Sequence, residues 1–370
     1  MRIGIVTFHN ADNYGAVLQA YALQTHLQKR GHDPFFVNYR YVFEEKNQPR
    51  MASVVTHSPK KSAWAALLVA RRYLTQRSFP RFRKKHLNLG DYAYDSYDQV
   101  VNHPQPVDAL ICGSDQIWNP VFTQYLPDEK MSWLSFWHDS IRRIAYAGSF
   151  AVDSLPEETN RRLSVYARRF HSLSVREESG IKVMEDIGRS DAKWVPDPTM
   201  LLSPSNYLDI INEGDCRSSD RPVAMFLGWE NDVTKNAVEC INKISGQNCY
   251  SLFPNSFAWL LGGARKGPGQ WLAIIAKASF VITNSFHGLM FSLLFHRPFI
   301  VLLWGGAESS KNIRVLSILD KVGLAHRTVA NIEKTQMESL YRQPIDWVKV
   351  DAKLNEFREV GVKFLESALV

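Results

Sequence analysis

Five short polar runs hold most of the side chains in this chain that could do chemistry: HNADNYG (9–15), GSDQIWN (113–119), REES (176–179), NSFHG (284–288) and WGGAESSKN (304–312). Histidine is the side chain built to trade protons near neutral pH, so His287 can donate a proton or hold a phosphate. Gly288 beside it lets a ligand approach a helix start, where backbone N–H groups and the helix dipole favour anions. The alternative is a buried histidine bonded to a loop carbonyl. Asn284 and Ser285 are polar candidates in the same turn. Arg176 offers a planar fork suited to a carboxylate, or else pairs with Glu177 or Glu178. Asp115 follows a Gly-Ser turn, where a carboxylate serves as acid or base, or simply caps the turn. Trp118 either stacks on a sugar face or joins the core. Asp12 can act as a base and Asn13 can bond a hydroxyl or phosphate oxygen, although one of the two is expected to cap the helix that follows. Gly15 leaves room for a ligand at that helix start.

These residues can converge only if the elements between them deliver them to one place. Apolar runs predict strands at residues 3–7, 34–38, 107–112, 143–148, 172–175 and 194–196, with helical patterns at 14–30, 156–169 and 177–187. Ala16, Ala20, Leu23 and Leu27 share one face of the first helix, and Lys29-Arg30-Gly31 suits its C-terminus. Residues 212–222 read as a polar linker. After it, strands are expected at 223–228, 248–252, 280–283 and 299–303, and helices at 233–245, 268–278, 288–295 and 312–322. Strands alternating with helices imply parallel sheets covered on both faces. The expected fold class is therefore α/β, with two doubly wound Rossmann-like domains facing a cleft. Residues 1–211, with a basic insertion at 46–90, form the first domain, and residues 222–350 form the second. Residues 351–370 add a closing amphipathic helix. Ligands in such folds sit beyond the C-terminal ends of strands, which is where the five polar runs fall.

Bulk properties narrow the function class. At 370 residues, 45% hydrophobic and 22% charged, the chain reads as a soluble globular protein of enzyme size. Cys112, Cys216, Cys240 and Cys249 lack C-x-x-C spacing, which argues against a zinc site or a disulfide framework and fits a reducing cytoplasm. No signal-like segment opens the chain, and the apolar run 289–303 is broken by His296, Arg297 and Pro298. The absence of G-x-G-x-x-G removes support for a dinucleotide. The net charge of +7 is local: residues 46–90 contain no Asp or Glu but eleven Lys or Arg. Their centre, AWAALLVARRYLTQRSFPRFRKKH, is either an interfacial helix for anionic lipid at the inner face of a membrane or a solvated basic helix packing its apolar side. No nucleic-acid motif accompanies the patch, so nucleic acid is not expected as a partner.

Taken together, TFHNADNYGAVLQAYAL, GSDQIWNP, SVREESG, VPDPTMLL and the span from GPGQWLAIIAKASFVITNSFHGLMFSLLF to RPFIVL resemble the polysaccharide pyruvyl transferase family. The resemblance runs from the first strand to about residue 323. It implies a GT-B-like two-domain fold and transfer of pyruvate from phosphoenolpyruvate onto a sugar of a cell-surface polysaccharide, such as a capsule or exopolysaccharide, or its lipid-linked precursor. The product is a pyruvate ketal, with no cofactor and no metal. It further implies a donor site at His287, an acceptor near Asp12 and Asp115, and Arg176 on the pyruvate carboxylate. One departure stands out: relatives carry Arg two residues before this histidine, where this chain has Ser285. Arg314, Lys311 and Arg265 are the candidates to supply the missing cation. Two rival expectations are a GT-B glycosyltransferase that holds a nucleotide sugar at NSFHG, and an inactive glycan-binding relative.

Overall fold

Short apolar runs buried on both faces can be satisfied only as parallel strands covered by helices. The computed structural model, which describes residues 1–41, 77–123, 129–213, 220–228, 231–252 and 266–370, arranges them as two such sheets. The first has seven strands in the order β3-β2-β1-β4-β5-β6-β7. These are β1 (Arg2–Val6), β2 (Asp33–Tyr39), β3 (Leu89–Tyr94), β4 (Ala109–Cys112), β5 (Arg142–Gly148), β6 (Ser172–Val175) and β7 (Lys193–Trp194). The second, ordered β12-β11-β10-β8-β9, contains β8 (Val223–Met225), β9 (Tyr250–Ser251), β10 (Val281–Thr283), β11 (Phe299–Leu302) and β12 (Thr328–Val329). All ten pairings are parallel. The strand order reverses between β1 and β4 in one sheet and between β8 and β10 in the other. Such reversal points open a crevice beyond the strand ends.

The Tyr14–Lys29 helix connects β1 to β2 and is buried on nearly every side. Ala20, Leu23 and Leu27 pack on the first sheet with Ile3, Ile5 and Ile111, as its periodicity predicts. Val17, Leu18 and Ala22 face the other way and share a cluster with Trp271, Leu289, Met290 and Phe291 of the second half. Tyr14 stacks on Trp271 with ring centroids 5.1 Å apart and donates its hydroxyl to the Lys266 carbonyl at 2.7 Å. The C-terminal helix, Trp347–Ala368, also bridges the halves. Its Val350, Leu354 and Phe357 join the second-half cluster, whereas Val362, Leu365 and Ala368 pack under the first sheet. Two Rossmann-like sheets, an apolar junction and a returning last helix make the architecture α/β and GT-B-like.

Part of the basic insertion is ordinary structure. Its end forms the Ser78–His86 helix, which buries Phe79 and Phe82 against the same junction, and β3 follows it. The remainder of the patch, including Arg71 and Arg72, lies outside the described residues. Among the described residues no helix is long and apolar enough to cross a membrane.

Candidate active site

Strand ends from both sheets meet at one cluster of buried polar side chains. Ser114 and Asp115 follow β4, Arg176 and Glu177 follow β6, and Asp197 follows β7. From the second half, His287 sits in the first turn of the Phe286–Leu294 helix after β10, and Arg314 in the first turn of the Asn312–Val322 helix after β11. The loops are tied together: Thr7 Oγ1 donates to the Ser114 carbonyl at 2.7 Å, and buried Gln19 Nε2 donates to Thr7 Oγ1 at 2.9 Å.

Asp197 is the electrostatic hub. Its side chain is fully buried, and Oδ2 accepts from Arg176 Nη1 at 2.9 Å and from Ser114 Oγ at 3.2 Å. Oδ1 accepts from the Thr199 N–H at 3.0 Å and its hydroxyl at 2.8 Å, which caps the following 3₁₀ turn. His287 Nε2 lies 3.5 Å from Oδ2, an ion-pair contact when the imidazole is protonated rather than an aligned hydrogen bond. Burial opposes ionisation of Asp197, but the positive charges of His287 and Arg176 and the donors around it hold its carboxyl below the usual range. This residue was not a candidate in the sequence; the PDP turn after a strand was its only signal.

Two guanidinium groups stand beside it. Arg176 uses Nη1 on Asp197, leaving Nε and Nη2 buried without a partner, and its guanidinium lies 4.7 Å from the centre of the Phe286 ring. Arg314 is also buried, 5.8 Å from the centre of the same ring, with Nε unpartnered. Burial and then the like charge of Arg176 push Arg314 down to about 10, while Glu177, Asp115 and Asp197 pull it back up. Glu177 does not pair with Arg176: its Oε1 accepts from the N–H groups of Phe150 and Ala151, both at 2.8 Å, and from Ser149 Oγ at 3.1 Å.

The other candidates are placed as follows. Gly15 packs against the His287 ring; a Cβ there would fall 2.0 Å from Nδ1, so the open space expected for a ligand is filled by the histidine. Asn13 caps the first helix, its side chain accepting from the Ala16 N–H at 3.2 Å, and Asp12 pairs with Arg83 at 2.9 Å. Asp115 holds φ at 86° and turns Oδ1 to the Gln116 N–H at 2.8 Å, with its side chain partly open. Trp118 corrects the sugar-stacking expectation: it is buried, stacked 4.7 Å from Trp133, and donates Nε1 to the Ser132 carbonyl at 3.1 Å. Asn284 is occupied in bracing the loop after β8, accepting from the Leu227 N–H at 2.7 Å and donating to its carbonyl at 3.2 Å. Ser285 caps the Phe286–Leu294 helix through the Gly288 N–H at 3.3 Å. Gly288 is closed off by Thr283 and Met225 rather than open to a ligand. Lys311 is paired with Glu308 and lies 4.3 Å from the centre of the Trp304 ring, whose Nε1 donates to the Asn284 carbonyl at 3.1 Å. Arg265 is outside the described residues. Among those described, no group of three His, Cys, Asp or Glu is placed to hold a metal ion.

A model of the polysaccharide pyruvyl transferase family matches residues 13–306, which spans Gly15, Asp115, Arg176, Asp197 and His287. The chain belongs to that family. No curated protein sequence matches it. Among solved structures, this pyruvyl transferase family member is similar to UDP-GlcNAc 2-epimerase from Neisseria meningitidis bound to UDP-GlcNAc, with 11% identity over 99% of this chain and 100% of that one, at a TM-score of 0.48. It is also similar to the calicheamicin glycosyltransferase CalG4, with 10% identity over 100% and 95% of the two chains and a TM-score of 0.42. For ADP-heptose lps heptosyltransferase II from E. coli the values are 12%, 96%, 99% and 0.36. None of these likenesses carries an argument about the chemistry of the family member described here.

Proposed function

We propose that this family member transfers the pyruvyl group of phosphoenolpyruvate onto a sugar of a cell-surface polysaccharide or its lipid-linked precursor, releasing phosphate and forming a pyruvate ketal. The observation that carries the reading is a set of buried guanidinium donors left without a hydrogen-bond partner: Arg176 Nε and Nη2 and Arg314 Nε. Each such group costs on the order of 1–3 kcal/mol if left unsatisfied. A small ligand with two anionic groups at opposite ends, as in phosphoenolpyruvate, removes those penalties together. The Arg176 fork suits the planar carboxylate, and Arg314 with the N-terminus of the Phe286–Leu294 helix suits the phosphate. In this reading Arg314 is the cation that relatives place where this chain has Ser285.

The chemistry follows from the neighbours. Protonated His287 donates to the methylene carbon, which makes the central carbon electrophilic. A sugar hydroxyl adds there, phosphate departs, and the second hydroxyl closes the ketal. Asp197 stays ionised beside His287, with Oδ2 3.5 Å from Nε2, and holds the imidazole in place. A lipid-linked acceptor would bring the protein to an anionic membrane face. Within the described residues, exposed side chains of the basic patch, Arg81 and Lys84 of the Ser78–His86 helix among them, could meet it.

The test is phosphate release from phosphoenolpyruvate with a panel of p-nitrophenyl hexosides and lipid-linked sugars. Release coupled to a ketal product is expected, falling by about 10²–10⁴-fold in His287→Gln. No release on any acceptor, together with saturable binding of a nucleotide sugar, would replace pyruvyl transfer with glycosyl transfer.

A further inference from the structure

Glu177 is a carboxylate that the scheme above does not use, although everything around it is arranged for use. It has no exposed surface, and Oε1 is saturated by three donors, the Phe150 and Ala151 N–H groups and the Ser149 hydroxyl. Its second oxygen, Oε2, is buried without a partner. The backbone that supplies those donors is unusual: Ala147 and Ala151, either side of them, hold φ at 55° and 54°, in the left-handed region that non-glycine residues rarely adopt. Strain of this kind persists only where surrounding structure imposes it. A group whose task was merely to satisfy the Phe150 and Ala151 N–H groups would not need a second buried oxygen left bare. Glu177 is tied into the cluster through Ser149, whose hydroxyl donates to Oε1 and whose N–H donates to the Asp115 carbonyl at 3.1 Å. The residue next to Glu177 in the chain, Arg176, carries the two unpartnered donors. Asp12, an earlier candidate for the base, is held by Arg83.

We propose that Glu177 Oε2 is the general base that deprotonates the first acceptor hydroxyl; this rests on the pyruvyl-transfer reading given above. As the hydroxyl oxygen forms its bond to the central carbon of the donor, already protonated at its methylene by His287, its proton passes to Oε2. The bond between that carbon and the phosphate oxygen then breaks, the electron pair leaves with phosphate, and Glu177 returns its proton to the departing oxygen. The second hydroxyl closes the ketal and gives its proton to the neutral imidazole. Both residues end as they began, and the products are the ketal and hydrogen phosphate.

Glu177→Gln tests this because the amide oxygen can still accept from the Phe150 and Ala151 N–H groups. The expected result is a fall in kcat of about 10²–10⁴-fold, with phosphoenolpyruvate binding by calorimetry within threefold of the parent and loss of the acid limb of the kcat–pH profile. Glu177→Asp, which restores a carboxylate, should recover part of the rate and the acid limb. A kcat within threefold of the parent for Glu177→Gln overturns the assignment, as does a loss of rate matched by an equal loss of phosphoenolpyruvate binding. Absence of phosphate release by the parent chain itself overturns the pyruvyl-transfer reading, and this role with it.

Discussion

At the scale of single residues, the site is defined by what each group lacks as much as by what it touches. Gly15 has no side chain because the His287 imidazole occupies that space: the nearest ring atom would lie 2.0 Å from an added Cβ. Gly15→Ala should therefore displace the ring from Asp197 while improving helix propensity by about 0.5–1 kcal/mol. We expect turnover to fall at least tenfold with a melting temperature shifted by only a few degrees. Full activity in that variant would show that the histidine's position is not set by this contact. Several residues of the cluster were legible in the sequence, His287, Arg176 and Arg314 among them, because strand ends can be located from apolar runs. Asp197 and Glu177 were not read as site residues. Recognising them required the end of β5 and the loop after it, where Ala147 and Ala151 adopt positive φ and the Phe150 and Ala151 N–H groups point at the Glu177 carboxylate. No local pattern signals that conformation.

At the scale of elements, the periodicity located most strands and helices, and the misses have physical causes. β3 (LGDYAY) is an edge strand with mostly exposed side chains, so it has no apolar run to find. β12 is two residues long. The Ser78–His86 helix divides its basic residues between two tasks. Arg83 turns inward to Asp12 and to the Ala11 carbonyl, Lys85 and His86 pair with Glu213, and Arg81 and Lys84 face outward. If the patch meets anionic lipid, the Arg81→Ala/Lys84→Ala pair should weaken co-sedimentation with phosphatidylglycerol vesicles by about 30-fold, at about 1 kcal/mol per charge. Unchanged sedimentation would leave these two residues as solvated surface. Arg83 is unsuitable for that experiment, since its removal also releases Asp12.

At the scale of the whole molecule, acid should be destabilising through buried histidines. Burial pushes His9 and His26 from 6.5 down to about 4. The unfolded chain therefore takes up protons first as pH falls below about 6.5. Stability is complete above that pH and drains as pH drops towards 4, by up to about 3 kcal/mol per histidine at 1.36 kcal/mol per unit. Melting temperatures measured between pH 7.5 and 4.5 should fall accordingly, and His9→Gln/His26→Gln should flatten the slope. An unaltered slope would assign the acid sensitivity to other groups.

The first helix sets where this protein can be divided. Its Val17, Leu18 and Ala22 sit in a cluster with Trp271, Leu289 and Phe291, although the helix belongs by connectivity to the seven-stranded sheet. A hybrid of two family members spliced between the two sheets would thus exchange only part of the second half's interior. The transplantable unit is that half together with residues 14–29, a piece contiguous in space but not in the gene. Mixing of specificities within this family would, for this chain, proceed through paired changes at the helix and its partners rather than through exchange of whole segments.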